Sequence, residues 1–263
     1  MTFTGFNTKY PEYEVITPQT KLSFNVRSLN VQEEENLKGS LVTPMKVAEH
    51  LNKCLYDVIT KKPDNIKDYD TFLKSLTLKD RDALLYGLYH ITYEDIRNYM
   101  VKCGKCGKEH AVTVKASDTF NFTAYPGENI LSQRILVKLP ITKTVSAIVK
   151  QPSLFDEIIA LKQYASRPGT SIEMVVATLI IEKFEEQRDE LKEPVVYDDR
   201  GDIIDAYLSL APKDKREIHA KYEEEFGKYS ISLKMQSFCV ACTNSEVIEL
   251  DLVDNFFRSI YSA

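Results

Sequence analysis

Four of the five cysteines in this chain of 263 residues stand in two C-x-x-C pairs, Cys103 with Cys106 and Cys239 with Cys242, and about half of the chain lies between them. A tetrahedral metal site needs four thiolates at about 2.3 Å from one ion. One C-x-x-C pair supplies only two. A fold that uses both pairs on one metal must therefore bring two distant segments tip to tip. That condition restricts the architecture more than any local propensity does.

The flanks of the two pairs invite comparison. From Lys102 the chain reads KCGKCGKEHAVTVKA, and from Phe238 it reads FCVACTNSEVIELDL. Each pair is followed by a polar turn and then an apolar run, Ala111, Val112 and Val114 in the first case and Val247, Ile248, Leu250 and Leu252 in the second. Upstream, Leu78-Lys79-Asp80-Arg81 parallels Ala211-Pro212-Lys213-Asp214-Lys215, and Pro18-x-Thr20-Lys21 parallels Pro140-x-Thr142-Lys143. Shared order of this kind is the signature of an internal repeat. The sequence therefore predicts a tandem duplication, with a first repeat over 12–120, a linker over 121–133 and a second repeat over 134–254.

Local periodicity fills in the elements. Leu22, Phe24 and Val26 alternate with polar residues, and Lys21 to Arg27 and Thr144 to Lys150 read as strands. Val47, Leu51, Leu55 and Val58 recur at helical spacing, as do Ile158, Leu161 and Ala165. Thr77 and Asp80 have the spacing of a capping box, and Ser171 to Leu191 reads as one long helix ahead of Pro194. Extended arms over Tyr99 to Lys102 and Ser230 to Phe238 lead into the cysteines. The expected fold class is α+β, mostly helical, with two tandem repeats joined by a zinc-ribbon-like pair of knuckles.

The chemistry expected of Cys103, Cys106, Cys239 and Cys242 is a single structural zinc. Lys102, Lys105 and Lys108 would temper the double negative charge of a four-thiolate centre. Three rival readings stand beside it. A thioredoxin-like redox pair sits where a strand meets a helix, whereas both pairs here lie between extended segments. His110 offers a third ligand to the first pair, though Glu246 occupies the corresponding place after the second. The third is that the pairs are vestigial and bind nothing, and the pairing of two motifs favours zinc over it. Cys54 falls on the apolar stripe of a predicted helix and reads as a small core residue. His50, His90 and His219 are scattered on predicted helices and form no catalytic order. Asp80-Arg81-Asp82 reads as a charged helix start, and Glu182 to Glu193 as a solvated helix face. No catalytic residue is assigned.

Composition narrows the class further. Hydrophobic residues make up 43% and charged residues 28%, as in an ordinary globular protein. The net charge of −5 and a pI near 5.6 argue against a chain that coats nucleic acid. Only 9 glycines are present, and neither a dinucleotide fingerprint nor a phosphate loop occurs. The first ten residues have neither a basic stretch nor an apolar one, so export is not expected. The apolar run from Val175 to Ile181 is too short to span a membrane.

The stretch from Leu76 to Val114, LTLKDRDALLYGLYHITYEDIRNYMVKCGKCGKEHAVTV, resembles the baseplate hub assembly proteins of T-even-type contractile-tailed bacteriophages. Members show a D-R-D-A-L-L-like helix start, an aromatic-rich helix end, a C-x-x-C knuckle and a strand. The resemblance covers about 40 residues most strongly; further on, the helix start at Ala211 to Asp214 is kept but the second knuckle has no glycine. It implies a late protein of the tail baseplate or its assembly, active in the host cytoplasm, with the virion tail as a second location. Its partners would be other baseplate or tail proteins, with no membrane, nucleic acid or small-molecule substrate. The alternative is a zinc-ribbon nucleic-acid-binding regulator, supported by Lys102, Lys105, Lys108 and Lys115 and opposed by the acidic balance.

Overall fold

The computed structural model describes residues 9–39, 43–93, 96–115, 120–167, 169, 171–188 and 193–250. The chain opens with an antiparallel hairpin, β1 (Glu12–Ile16) and β2 (Ser23–Arg27), to which β3 (Ile59–Lys61) adds in the order β1-β2-β3. Phe24 and Val26 of β2 are fully buried, as their alternation requires. Four helices follow or interleave: α1 (Val31–Gly39), α2 (Pro44–Val58), α3 (Tyr69–Ser75) and α4 (Leu78–Thr92). Leu51, Leu55 and Val58 of α2 face the same core as Phe72 of α3 and Leu84, Leu85 and Leu88 of α4. Next come a two-stranded hairpin, β4 (Ile96–Lys102) with β5 (Glu109–Lys115), and the short β6 (Phe120–Phe122).

The later part is built on a four-stranded sheet in the order β10-β9-β8-β7, from β7 (Ile135–Lys138), β8 (Val145–Val149), β9 (Ile181–Glu186) and β10 (Val195–Tyr197). Helices α5 (Leu154–Ser166), α6 (Ile172–Thr178), α7 (Arg200–Ser209) and α8 (Pro212–Tyr222) accompany it, and one π turn, Glu223–Gly227, extends α8. Val137, Ala147, Val149, Ile181 and Phe184 meet Ile203, Tyr207 and Ile218 in a second core. The chain then forms β11 (Ile231–Cys239) and β12 (Asn244–Leu250), which join β6 in a sheet ordered β12-β11-β6.

The expectation of a mostly helical chain made of two tandem repeats is corrected here. Strands occupy 29% against 41% helix, in twelve strands and four antiparallel sheets among the described residues. One sheet near the start has three strands and the main later sheet has four. β6 pairs with β11, and the first core takes in Leu154, Ile231 and Leu233, so the parts interlock where duplicate units would close on themselves. The long helix expected over Ser171 to Leu191 stops at Thr178, and the charged stretch read as a solvated helix face begins as β9, one of the sheet's two inner strands. Ile181 and Phe184, fully buried three residues apart, satisfy a helical spacing; a register shift beside Ile148 of β8 lets both face inward from a strand. Residues 189–191 of that expected helix, and 251–254 at the end of the expected second repeat, lie outside the described residues.

Two buried carboxylates set the hairpin loops on the helices. The capping box of α4 forms as expected: Thr77 Oγ1 accepts from the Asp80 N–H and Asp80 Oδ2 from the Thr77 N–H, both at 3.1 Å. Asp80 Oδ1 also accepts from the N–H groups of Gln19 at 2.9 Å and Thr20 at 3.3 Å, in the β1–β2 loop. In the first turn of α8, Asp214 accepts from the Ile141 N–H at 2.7 Å and from both the N–H and the hydroxyl of Thr142, in the β7–β8 loop. Desolvation raises the Asp80 carboxyl above the usual range, whereas at Asp214 the same penalty is outweighed by the Ile141 and Thr142 donors, which hold it below. Helix α4 is tied to α5 by the nearly enclosed Arg81–Glu157 pair, and just ahead of α4 the Leu76 carbonyl accepts from the Leu154 N–H at 2.9 Å.

Candidate metal centre

Each cysteine pair sits at the tip of a hairpin. In β4–β5, Lys102 pairs with Glu109 as the last rung, and the chain turns through Cys103 to Lys108. The Cys103 N–H donates to the Lys108 carbonyl at 3.0 Å and the Gly107 N–H to the Cys103 carbonyl at 2.8 Å. Gly107 has a φ of 70°, in the left-handed region where a side chain is disfavoured. In β11–β12 the last rung is Cys239 with Asn244, and Thr243 takes the left-handed position with a φ of 55°.

The tips meet. Cys103 Sγ lies 3.6 Å from Cys242 Sγ, and Cys106 Sγ lies 3.7 Å from Cys239 Sγ. All four sulfurs fall within 4.8 Å of one another. Sulfurs at the corners of a tetrahedron with arms of about 2.3 Å would be roughly 3.8 Å apart, so the spacing fits a four-thiolate site. All four cysteines are free, Cys103 and Cys239 being buried, Cys242 half-buried and Cys106 exposed.

The crowding of the sulfurs also sets their protonation. The Cys106 N–H, followed by that of Lys105, turns toward the Cys103 sulfur and draws its thiol down to about 6 despite desolvation. At Cys242 the Asn244 N–H favours the thiolate, but desolvation and the sulfurs of Cys106, Cys103 and Cys239 push the thiol up to about 12. Thiols this close oppose one another's ionisation unless a cation sits among them.

The surrounding contacts cross from hairpin to hairpin. Asn244 Nδ2 lies 3.7 Å from Cys103 Sγ, the Gly104 N–H donates to Glu246 Oε1 at 2.9 Å, and His110 Nε2 lies 2.7 Å from Ser237 Oγ. His110 is thus engaged with Ser237 through Nε2 and stands outside the four-sulfur group. Both pairs lie at strand ends rather than at a strand-to-helix start, unlike a thioredoxin-type redox pair. Sequence reasoning missed Ser237 and Asn244 altogether. It noticed Glu246 only as the counterpart of His110, since a cross-hairpin contact leaves no local signal.

The other singled-out residues lie elsewhere. Cys54 packs against the first core, where burial pushes its thiol up to about 12. His219 Nε2 lies 2.8 Å from the Tyr207 hydroxyl, and His90 stacks on Tyr86. Lys102 faces Glu109 at 3.8 Å, while Lys105, Lys108 and Lys115 are exposed. No helix among the described residues is long and apolar enough to cross a membrane.

These features define a class: an interlocked α+β protein whose two hairpins are brought together through four cysteines far apart in sequence. The family model for T4 bacteriophage base plate protein matches residues 10–258, and the chain belongs to that family. It is thus a structural protein of the phage baseplate, a setting that places it among tail proteins of the virion. Neither a curated protein nor a solved structure matches it.

Proposed function

We propose that this baseplate protein serves the hub region, as a structural or assembly component that acts by protein–protein binding, and that one structural zinc ion joins its two hairpins. Cys103 and Cys106 would supply two ligands and Cys239 and Cys242 the other two. The observation that carries the metal reading is the spacing of the four sulfurs across the hairpin tips. The match to the baseplate family over residues 10–258 carries the structural role. On this reading the zinc supplies no chemistry beyond charge neutralisation and cross-linking, and boundaries at 12–120, 121–133 and 134–254 mark the two arms and the segment between them. The protein works as a late gene product in the host cytoplasm during assembly.

Affinity capture from an infected-cell lysate tests the role. Tail components should be retained at physiological salt and DNA should not. Retention of DNA with no tail protein would instead favour a nucleic-acid-binding regulator, which the net charge of −5 opposes.

A further inference from the structure

We infer that Glu246 is a positioning residue for the metal, holding the first knuckle in place from the opposite hairpin before the ion binds. The inference rests on the zinc reading above and assigns a role to a residue that is not itself a ligand.

Gly104 stands between the two cysteines of the first knuckle, and its N–H donates to Glu246 Oε1 at 2.9 Å. Glu246 lies on β12 opposite Ser237, the residue that meets His110, so both contacts connect the same two strands to the first hairpin. The contact is solvent-exposed, so its part in the site is geometric more than energetic. It fixes the backbone that carries Cys103 and Cys106 relative to Cys239 and Cys242.

The glycine makes this approach possible. A β-carbon on Gly104 would come within 2.7 Å of Glu246 Oε2, closer than carbon and oxygen allow. Gly104 is not among the residues with positive φ, so its own backbone does not demand glycine. The close approach is to the far end of a flexible side chain, so an added methyl would turn the carboxylate aside. At the corresponding place in the second knuckle stands Val240, whose side chain is 79% exposed. Its hairpin is instead held by β6 in a three-stranded sheet. The first hairpin has two strands and borrows its support from across the site.

The test measures zinc affinity by chelator competition on the full chain, with Co²⁺ absorption reporting whether four sulfurs still bind. Glu246→Ala should weaken zinc binding about 10-fold, the lower end of the range for outer-sphere partners, because its exposed contact reaches the knuckle backbone and not a ligand. Glu246→Gln keeps an acceptor and should stay within a few-fold of the parent, which separates positioning from a general loss of fold or of charge. Gly104→Ala should displace the carboxylate and weaken binding as Glu246→Ala does. The double variant should then be no weaker than either single one. Unchanged affinity in Glu246→Ala, or losses that multiply in the double variant, would overturn the inference while leaving the zinc site intact. A parent protein that takes up no zinc would overturn both.

Discussion

The two cysteine hairpins meet one backbone requirement with different residues. The residue after the second cysteine adopts a left-handed conformation in each, Gly107 at a φ of 70° and Thr243 at 55°. Glycine does this without steric cost, and threonine does not. The hairpin with the poorer turn has the better scaffold: β11 spans nine residues and pairs on both sides, with β12 and β6. The β4–β5 hairpin has the better turn and only two strands. A favourable knuckle motif therefore says little about how firmly a knuckle is held, because sheet context outweighs the turn.

The largest consequence concerns metal removal. A strong chelator should raise amide hydrogen exchange in β4–β5 by about 100-fold or more, since a two-stranded hairpin has little stability of its own and this one otherwise relies on Val114 and Tyr99 packing against the first core. The β11–β12 amides should change less than about tenfold. Equal acceleration in both hairpins would erase the distinction.

The two loop-gripping carboxylates extend the contrast to the arms behind the hairpins. Asp80→Ala leaves the buried N–H groups of Gln19 and Thr77, and the partly buried one of Thr20, without that acceptor and should cost about 3–5 kcal/mol in denaturant unfolding. Asp214→Ala orphans partly buried donors and should cost about 2 kcal/mol. A reversed order would show that depth does not set the cost.

Turn substitutions should have smaller effects of opposite sign. Gly107→Ala should destabilise the metal-loaded protein by about 1–2 kcal/mol, while Thr243→Gly should gain about 0.5–1 kcal/mol. Thermal unfolding of both variants reads this directly. A loss in Thr243→Gly would mean that the Thr243 hydroxyl, donating to the Cys242 carbonyl at 2.7 Å, matters more than backbone strain.

The smallest effect is in pH dependence. Asp214 is held below its ordinary range, so its contribution is complete above the unfolded value near 3.9 and is lost as pH falls through the lower folded value. Asp80 is raised, so its contribution is complete below about 3.9 and is lost as pH rises through its folded value. Stability differences between each Asp→Asn variant and the parent, taken from pH 3 to 7 by urea unfolding, should slope in opposite directions. Parallel slopes would remove the electrostatic distinction between the two carboxylates.

Much of this was legible locally. The capping box at Thr77 and Asp80, the alternation in β2 and the extended arms before both cysteine pairs all depend on residues near in sequence. Non-local pairing was not legible. β6 finds β11 across the whole four-stranded sheet and its helices, and no short window records that choice. The stretch after Thr178 misled because the spacing of Ile181 and Phe184 fits a helical face, whereas the pairing with β8 and β10 decides it. The spacing of the cysteines implied a meeting of distant segments, but the means of holding them, Glu246 on Gly104 and Ser237 on His110, emerged only from the packed hairpins.

Metal analysis of the purified chain and of two variants tests the central claim most directly. The parent should carry about one zinc per chain, and Cys103→Ser and Cys239→Ser should each lose it to the same extent, because each hairpin supplies half of one tetrahedron. No zinc in the parent, two zincs per chain, or retention of the ion in only one of the two variants would contradict a single metal shared by both hairpins.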